Sequence, residues 1–296
     1  MVGKISKRRF AASDADIYVF IAIPFIVYLI FFIIPNVNAL IFSLFRWNGI
    51  SPEMDFAGFK NYVNLFQDGV FWLSLKNTLV YTITLILGQN IIALILAVLI
   101  YKTCRIHNFF RMVYFLPAIF STVTIGIIWG FIYDPNIGAL NGFLNAVGLE
   151  KLARAWLAEP GIVVVALACV HIWVGIGYGL ILFITGLQNI PDELYESAGI
   201  DGVNAWQKFY YITFPQLMPA TVIVLVLTTI GGFRSFDYVY VMTGGGATHS
   251  SEVMATLLFK EGLEYSRVGY SASISVMLLI IVTGISILQL RIFKEK

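Results

Sequence analysis

Residues 191–215 read PDELYESAGIDGVNAWQKFYYITFP, a polar, capped insert between two long apolar runs. Pro191 fits a first helical position, where its missing N–H costs nothing. Asp192 and Glu193 put negative charge on the first turn and complement the helix dipole. Gly199 or Gly202 can end that helix. A second helix can start at Asn204, with Gln207 three residues on as in a capping box, and Pro215 and Pro219 are expected to stop it. The stretch therefore predicts two short helices joined by a tight turn, lying on a membrane face. Ser197, Ala198, Gly199 and Gly202 keep the turn small enough for a partner to approach closely. Leu194 with Ala198, and Phe209 with Ile212, give each helix a modest apolar stripe. Two readings stand: a loop folded for its own stability, or a docking element.

What flanks the insert fixes the class of protein. The 296 residues are 59% hydrophobic and 12% charged, with a mean hydropathy of +0.84. A soluble domain is usually about 45–50% apolar and about 25% charged. The composition is that of an integral membrane protein. A net charge of +2 leaves no basic block suited to nucleic acid. Cys104 and Cys169 fall in separate segments and have neither metal-ligand spacing nor an obvious disulfide partner.

The chain opens with Lys4, Lys7, Arg8 and Arg9, followed by an apolar run from Ile17 to about Leu44. That run is too long for a signal peptide, and no small-residue cleavage site follows it. It reads as a retained first helix, kinked or broken near Pro24 and Pro35. Five further runs, 78–100, 112–132, 162–187, 217–236 and 272–290, can each span about 30 Å of hydrocarbon, so six helices are expected. A short interfacial helix or two is expected between Arg46 and Asn77. Residues 133–160 and 238–271 read as two further external connections. Lys and Arg placement orients the chain. The basic start, the loop with Lys102, Arg105 and Arg111, and the tail with Arg291, Lys294 and Lys296 are assigned inside. The Glu196 loop then also lies inside, where ATP is.

Glu196-Ser197-Ala198, Gly202 and Ile212-Thr213-Phe214-Pro215 resemble the EAA motif of inner-membrane subunits of binding-protein-dependent ABC importers. That motif is E-A-A, three residues, G, nine residues, I-x-L-P. The spacing fits, with Ser197 in place of the middle Ala and Phe214 in place of Leu. The wording of the insert also resembles the sugar branch of the family, the carbohydrate-uptake transporters type 1, which includes permeases of the maltose-transporter type. So do FDYVYVMTGGG at 236–246, with Ala247 where that branch usually has Pro, and the opening run IPFIVYLIFFIIPNVNALIFSLFRWNG. The likeness covers nearly the whole chain.

The resemblance implies an all-α integral membrane fold of six helices, the ABC type-1 transmembrane domain with cytoplasmic coupling helices. It implies a basic cytoplasmic tail at 1–16, a first helix and external connection at 17–71, a core at 72–291 with the coupling loop at 188–215, and a second tail at 292–296. It implies a pore shared with a second permease, two ATP-binding subunits, an extracellular or periplasmic solute-binding protein, surrounding lipid and a sugar substrate. Glu196, Ser197, Ala198, Gly199, Asp201, Gly202, Ile212 and Pro215 are the implied ATPase-coupling residues. Glu196 would make charge-assisted hydrogen bonds to the ATPase, and Ile212 and Pro215 would anchor the second short helix to the bundle. Gly202→Asp is expected to spare membrane insertion and abolish transport.

The residues bear on mechanism in their own right. The six spans contain no Lys, Asp or Glu short of Asp237, and Arg only at Arg234. Ion-coupled carriers usually need an intramembrane carboxylate, so a stand-alone secondary carrier is disfavoured. Arg234 and Asp237, three apart, read as a pair on one helix face near the outer mouth, either lining the path or forming an interfacial salt bridge. No G-x-x-x-x-G-K-[ST] phosphate loop is present. The chain is therefore read as no enzyme and as binding no cofactor, with ATP and Mg used by a partner ATPase. Gly244-Gly245-Gly246 reads as a flexible turn or as backbone bending into the pathway. An intramembrane enzyme would need a catalytic set that is not visible.

Gly126/Gly130 and Gly175/Gly179 have G-x-x-x-G spacing, with Gly177 beside the second pair. A sugar path needs hydrogen-bonding groups and flat aromatic faces. Gln89, Asn90, Trp129, His171, Trp173 and Tyr178 are the candidates, together with Arg234 and Asp237; each also has a plainer reading as a cross-helix bond or an interface anchor. A glycerol phosphoester or a polyol is the alternative substrate, and the shortage of basic groups along the path favours neutral sugars.

Overall fold

The computed structural model describes residues 14–103 and 107–293. The expected inner residues Lys4, Lys7, Arg8, Arg9, Cys104, Arg105, Lys294 and Lys296 lie outside that range. The first apolar run forms α1 (Asp14–Tyr28) and α2 (Ile34–Phe42), joined by a π-helical turn over Leu29–Ile33. Pro24 lies within α1, and Pro35 sits in the first turn of α2. The expected interruption is this wider turn, which relieves the missing N–H and the ring clash of Pro35.

A small ladder follows, unforeseen in the sequence: β1 (Phe45–Arg46) pairs antiparallel with β2 (Asp55–Phe56), Arg46 opposite Asp55. The expected interfacial helix is α3 (Lys60–Gln67). It is tied to the end of α2 by Asn61, whose Nδ2 donates to the carbonyls of Ser43 (2.8 Å) and Phe45 (2.9 Å). The second span, α4 (Gly69–Thr103), starts well before residue 78. Lys76 is exposed, and the Asn77 amide donates to the carbonyls of His249, Ser250 and Glu252, so neither interrupts the helix.

The third span is not one helix. It is α5 (His107–Phe115), a 3-10 turn at Leu116–Ile119 and α6 (Thr122–Ile132), bent by 94°. Pro117 lies in the first turn of the 3-10 segment, and Phe120 and Ser121 have ψ of 150° and 134°, so the helix cannot run through. After α7 (Ala139–Ala146) comes α8 (Val163–Gln188), matching the expected fourth span. Next are α9 (Asp192–Ile200), α10 (Ala205–Lys208), α11 (Phe214–Gln216) and α12 (Met218–Phe233). Then α13 (Asp237–Thr243) and α14 (Met254–Phe259) lead to α15 (Val268–Ile292). The start of the expected third external connection is thus helical: Tyr238 and Val239 of α13 are buried in the bundle. Among the described residues, five runs are long and apolar enough to cross a membrane; the bent α5–α6 pair, taken as one crossing, makes six.

The core lies where α8 packs along α4. Lipid tails give helices no hydrophobic reason to associate, so close backbone approach at small residues carries the packing. Gly175 lies against the Gln89 side chain and Gly88 against Ile172. A Cβ at Gly179 would meet that of Ala93 at 2.9 Å. Gly177 faces the Tyr114 carbonyl on α5, and Gly126 faces Val241 on α13, whereas Gly130 faces open space. Leu85, Leu167, Ile172 and Ile176 fill one part of the α4–α8 seam, and Ala93, Leu180, Phe183 and Ile184 the other. By contrast, the turn and α2 of the first crossing have no buried residue.

Candidate functional site

The 191–217 segment forms a braced helical hairpin. Pro191 is the N-cap of α9 rather than its first residue, with ψ at 134°, and Asp192 and Glu193 form the acidic first turn. The helix ends at Gly202. Val203 N–H donates to the Ala198 carbonyl and Gly202 N–H to that of Gly199, a Schellman ending. Gly202 has φ +73°, which a side chain resists and glycine adopts freely. The expected capping box is present: Asn204 Oδ1 accepts from Gln207 N–H at 2.9 Å, and Gln207 Oε1 accepts from Asn204 N–H at 3.0 Å.

Pro215 and Pro219 do not stop the second helix. A π-helical turn at Phe209–Thr213 passes the chain into α11 and α12, with each proline in a first turn, where no donor is needed. Tyr195 and Thr213 hydroxyls bond at 3.0 Å and clasp the two arms. Ala198, Thr213 and Leu217 are buried as anchors, Ile212 is half-buried, and Pro215 is exposed. Glu196, Ser197, Gly199, Asp201 and Gly202 are exposed. Glu196 makes no ion pair or hydrogen bond with a described residue, whereas Ser197 Oγ donates to the Glu193 carbonyl at 2.8 Å. Beside them stand Ile200, Trp206, Tyr210 and Tyr211, 88%, 74%, 58% and 72% exposed. The sequence reading missed these four, because an apolar side chain in a short amphipathic helix reads first as the buried face.

A second site lies within the membrane region. A cavity of about 800 Å³ opens between α4, α8, the bend of the third crossing and the α12–α13 junction. Gln89, Tyr178, Arg234 and Asp237 line it as candidates, and so do His171, Thr228, Ser235 and Tyr238. His171 Nδ1 lies 3.1 Å from the Tyr81 hydroxyl, which holds the imidazole in place. Tyr178 packs edge-on against Phe115 at 5.3 Å.

Arg234 and Asp237 are not a pair on one helix. They stand on either side of the α12–α13 break and form no ion pair, so a cation and an anion both face the cavity. The break escapes sequence reading because nothing between Gly232 and Asp237 is a strong helix terminator. Asn90 is turned to a neighbour instead, accepting from the Thr228 hydroxyl at 2.9 Å. Trp129 and Trp173 pack on each other edge-to-face at 5.7 Å, away from the cavity lining. Gly244, Gly245 and Gly246 all have positive φ and make a packed turn, with Gly245 close against Glu252 and Lys260.

Six apolar crossings, one of them bent, around a cavity with an exposed hairpin at one end are the outline of a membrane permease. The family described as binding-protein-dependent transport system inner membrane component matches residues 89–294. The chain is 40% identical over 279 residues to a probable ABC transporter permease, YurN, of Bacillus subtilis, covering 94% of this chain and 95% of that one. It is 34% identical to the arabinooligosaccharides transport system permease AraP of the same species, over 96% of this chain and 90% of that one. It is 31% identical to the multiple sugar-binding transport system permease MsmF of Streptococcus mutans, over 94% and 95%. In fold it is similar to a chain in the crystal structure of a bacterial ABC transporter involved in the import of the acidic polysaccharide alginate, with a TM-score of 0.80 at 22% identity, covering 95% and 96% of the two chains. The chain belongs to the family of inner-membrane components of binding-protein-dependent ABC transport systems.

Proposed function

We propose that the chain forms half of the translocation pore of an ATP-driven importer for a neutral sugar or oligosaccharide, with both termini and the 191–217 hairpin on the cytoplasmic side. The observation that carries the coupling role is the hairpin. It is braced by a Schellman ending, a capping box and the Tyr195–Thr213 clasp. Yet it presents Glu196, which no described residue pairs, and a row of exposed aromatic groups to whatever lies below. A rigid element with apolar and charged groups left exposed suits docking into a cleft of an ATPase subunit. ATP and Mg then belong to that partner, and this chain performs no hydrolysis. Closure of two ATPase subunits moves the hairpin, and the packed α4–α8 seam transmits the motion as a rigid-body shift.

The cavity supports the choice of cargo. It offers amide, hydroxyl, imidazole and phenol groups, with one cation and one anion in balance, as a neutral polyhydroxylated ligand requires. The names of AraP and MsmF point the same way. A polyol is the second reading, since its hydroxyls would meet the same amide, hydroxyl and phenol groups. A detergent pull-down of the tagged chain from its native membrane is the direct test. Co-purification of a phosphate-loop ATPase and a second permease supports the reading; a chain that emerges alone and moves solute in vesicles without ATP overturns it. Gly202→Asp has open space around its Cβ but a strained backbone. It should insert normally and lose transport.

A further inference from the structure

A second cavity, of about 670 Å³, lies at the far end of α2, between the β1–β2 ladder, α3 and the start of α15. Its volume falls within the range of about 300–1,000 Å³ of small-ligand sites, and the transport path does not use it. We propose that it is an accessory saccharide site; its place on the outer face rests on the orientation proposed above.

Four observations converge. Arg46 and Asp55 are direct partners across the ladder, so their side chains share a face. They nevertheless form no ion pair, and both border the cavity. A guanidinium and a carboxylate held side by side with a gap between them suit a hydroxyl that accepts from one and donates to the other. Asn61 is 7% exposed. Its Nδ2 is committed to two backbone carbonyls, and its Oδ1, at the cavity wall, takes no hydrogen bond from any described residue. Asn64 and Glu53 border the same space with side chains that no described residue engages. Finally, the Trp47 indole on the wall is preset: its Nε1–H donates to the Ser51 carbonyl at 2.8 Å, and its ring packs on Phe42 at 4.7 Å.

Charge narrows the ligand. Asp68 on the wall is spent, accepting from Val70 N–H and from the Tyr270 hydroxyl, and Arg267 is paired with Glu261 at 3.3 Å. Arg46 is left facing Glu53 and Asp55, which opposes an acidic ligand. Among the described residues no group of three or more His, Cys, Asp or Glu is placed to hold a metal ion. An aromatic wall with donors and acceptors of both charges suits the hydroxyls and C–H face of a neutral sugar ring.

The test is saturation-transfer difference NMR on the full chain in lipid nanodiscs, with maltotriose, raffinose and trigalacturonate as probes. Signal is expected from at least one neutral trisaccharide and none from trigalacturonate. Asp55→Ala and Asn64→Leu, both at exposed positions that the fold tolerates, should weaken binding about tenfold. Lys151→Ala, at an exposed position that lines neither cavity, should leave it unchanged. No signal from either neutral probe, or binding that neither ladder-side variant weakens, overturns the site. Sugar uptake by cells separates this result from the import reading. Uptake without a signal at the cavity removes the accessory site alone. A signal without ATP-driven uptake of any sugar removes the import reading alone.

Discussion

Glu252 is the most demanding single residue of the chain. It is fully buried, and one carboxylate oxygen accepts from Lys260 Nζ at 2.6 Å and lies 3.1 Å from His249 Nδ1, while the other oxygen has no partner among the described residues. A buried pair contributes little net stability, but removing one member strands the other charge. Lys260→Met should therefore cost about 3–5 kcal/mol, and Glu252→Met together with Lys260→Met much less, read as thermal unfolding midpoints in detergent. Glu261 gives a pH dependence. Burial raises its carboxyl above the ordinary 4.5, against the opposing pull of Arg267. A carboxyl raised by folding favours the folded state while protonated and loses that contribution as pH rises through the raised value. Glu261→Gln should thus raise the unfolding midpoint at pH 7, and the gain should vanish below about pH 4.

Helices show where reading by pattern succeeds and where it stops. The capping box at Asn204 and Gln207 was legible because its two hydrogen bonds join residues three apart. The Pro215 stop was misjudged because a proline can open a helix as readily as end one, and the π turn before it depends on how the chain meets the bundle. The small-residue pattern of the membrane helices was only half informative. Gly179 and Gly130 look alike in sequence, yet one touches Ala93 and the other nothing. Gly179→Leu should separate α8 from α4 and abolish folded protein on size-exclusion chromatography, whereas Gly130→Ala should be silent in both yield and uptake.

At the scale of the molecule, the cavity between α4, α8 and the α12–α13 break balances Arg234 against Asp237. That balance is expected to set charge preference. Asp237→Asn leaves the cavity with a net positive charge, so it should raise uptake of an acidic trisaccharide relative to a neutral one, measured by competition in cells expressing the whole importer. An unchanged ratio would remove Asp237 from the path. The first crossing has no buried residue in its turn or in α2, although α2 lies along α15.

Composition alone determined that this chain lives in a membrane, and hydrophobic run length gave the number of crossings, because a bilayer selects for length and apolarity, which are local properties. Capping at 191–207 was equally local. Tertiary structure alone decided the burial of α13, the gap between Arg46 and Asp55, and which glycines meet a neighbour. Each of these depends on residues far apart in sequence satisfying one another's backbone groups or volume, and no window of the chain carries that information.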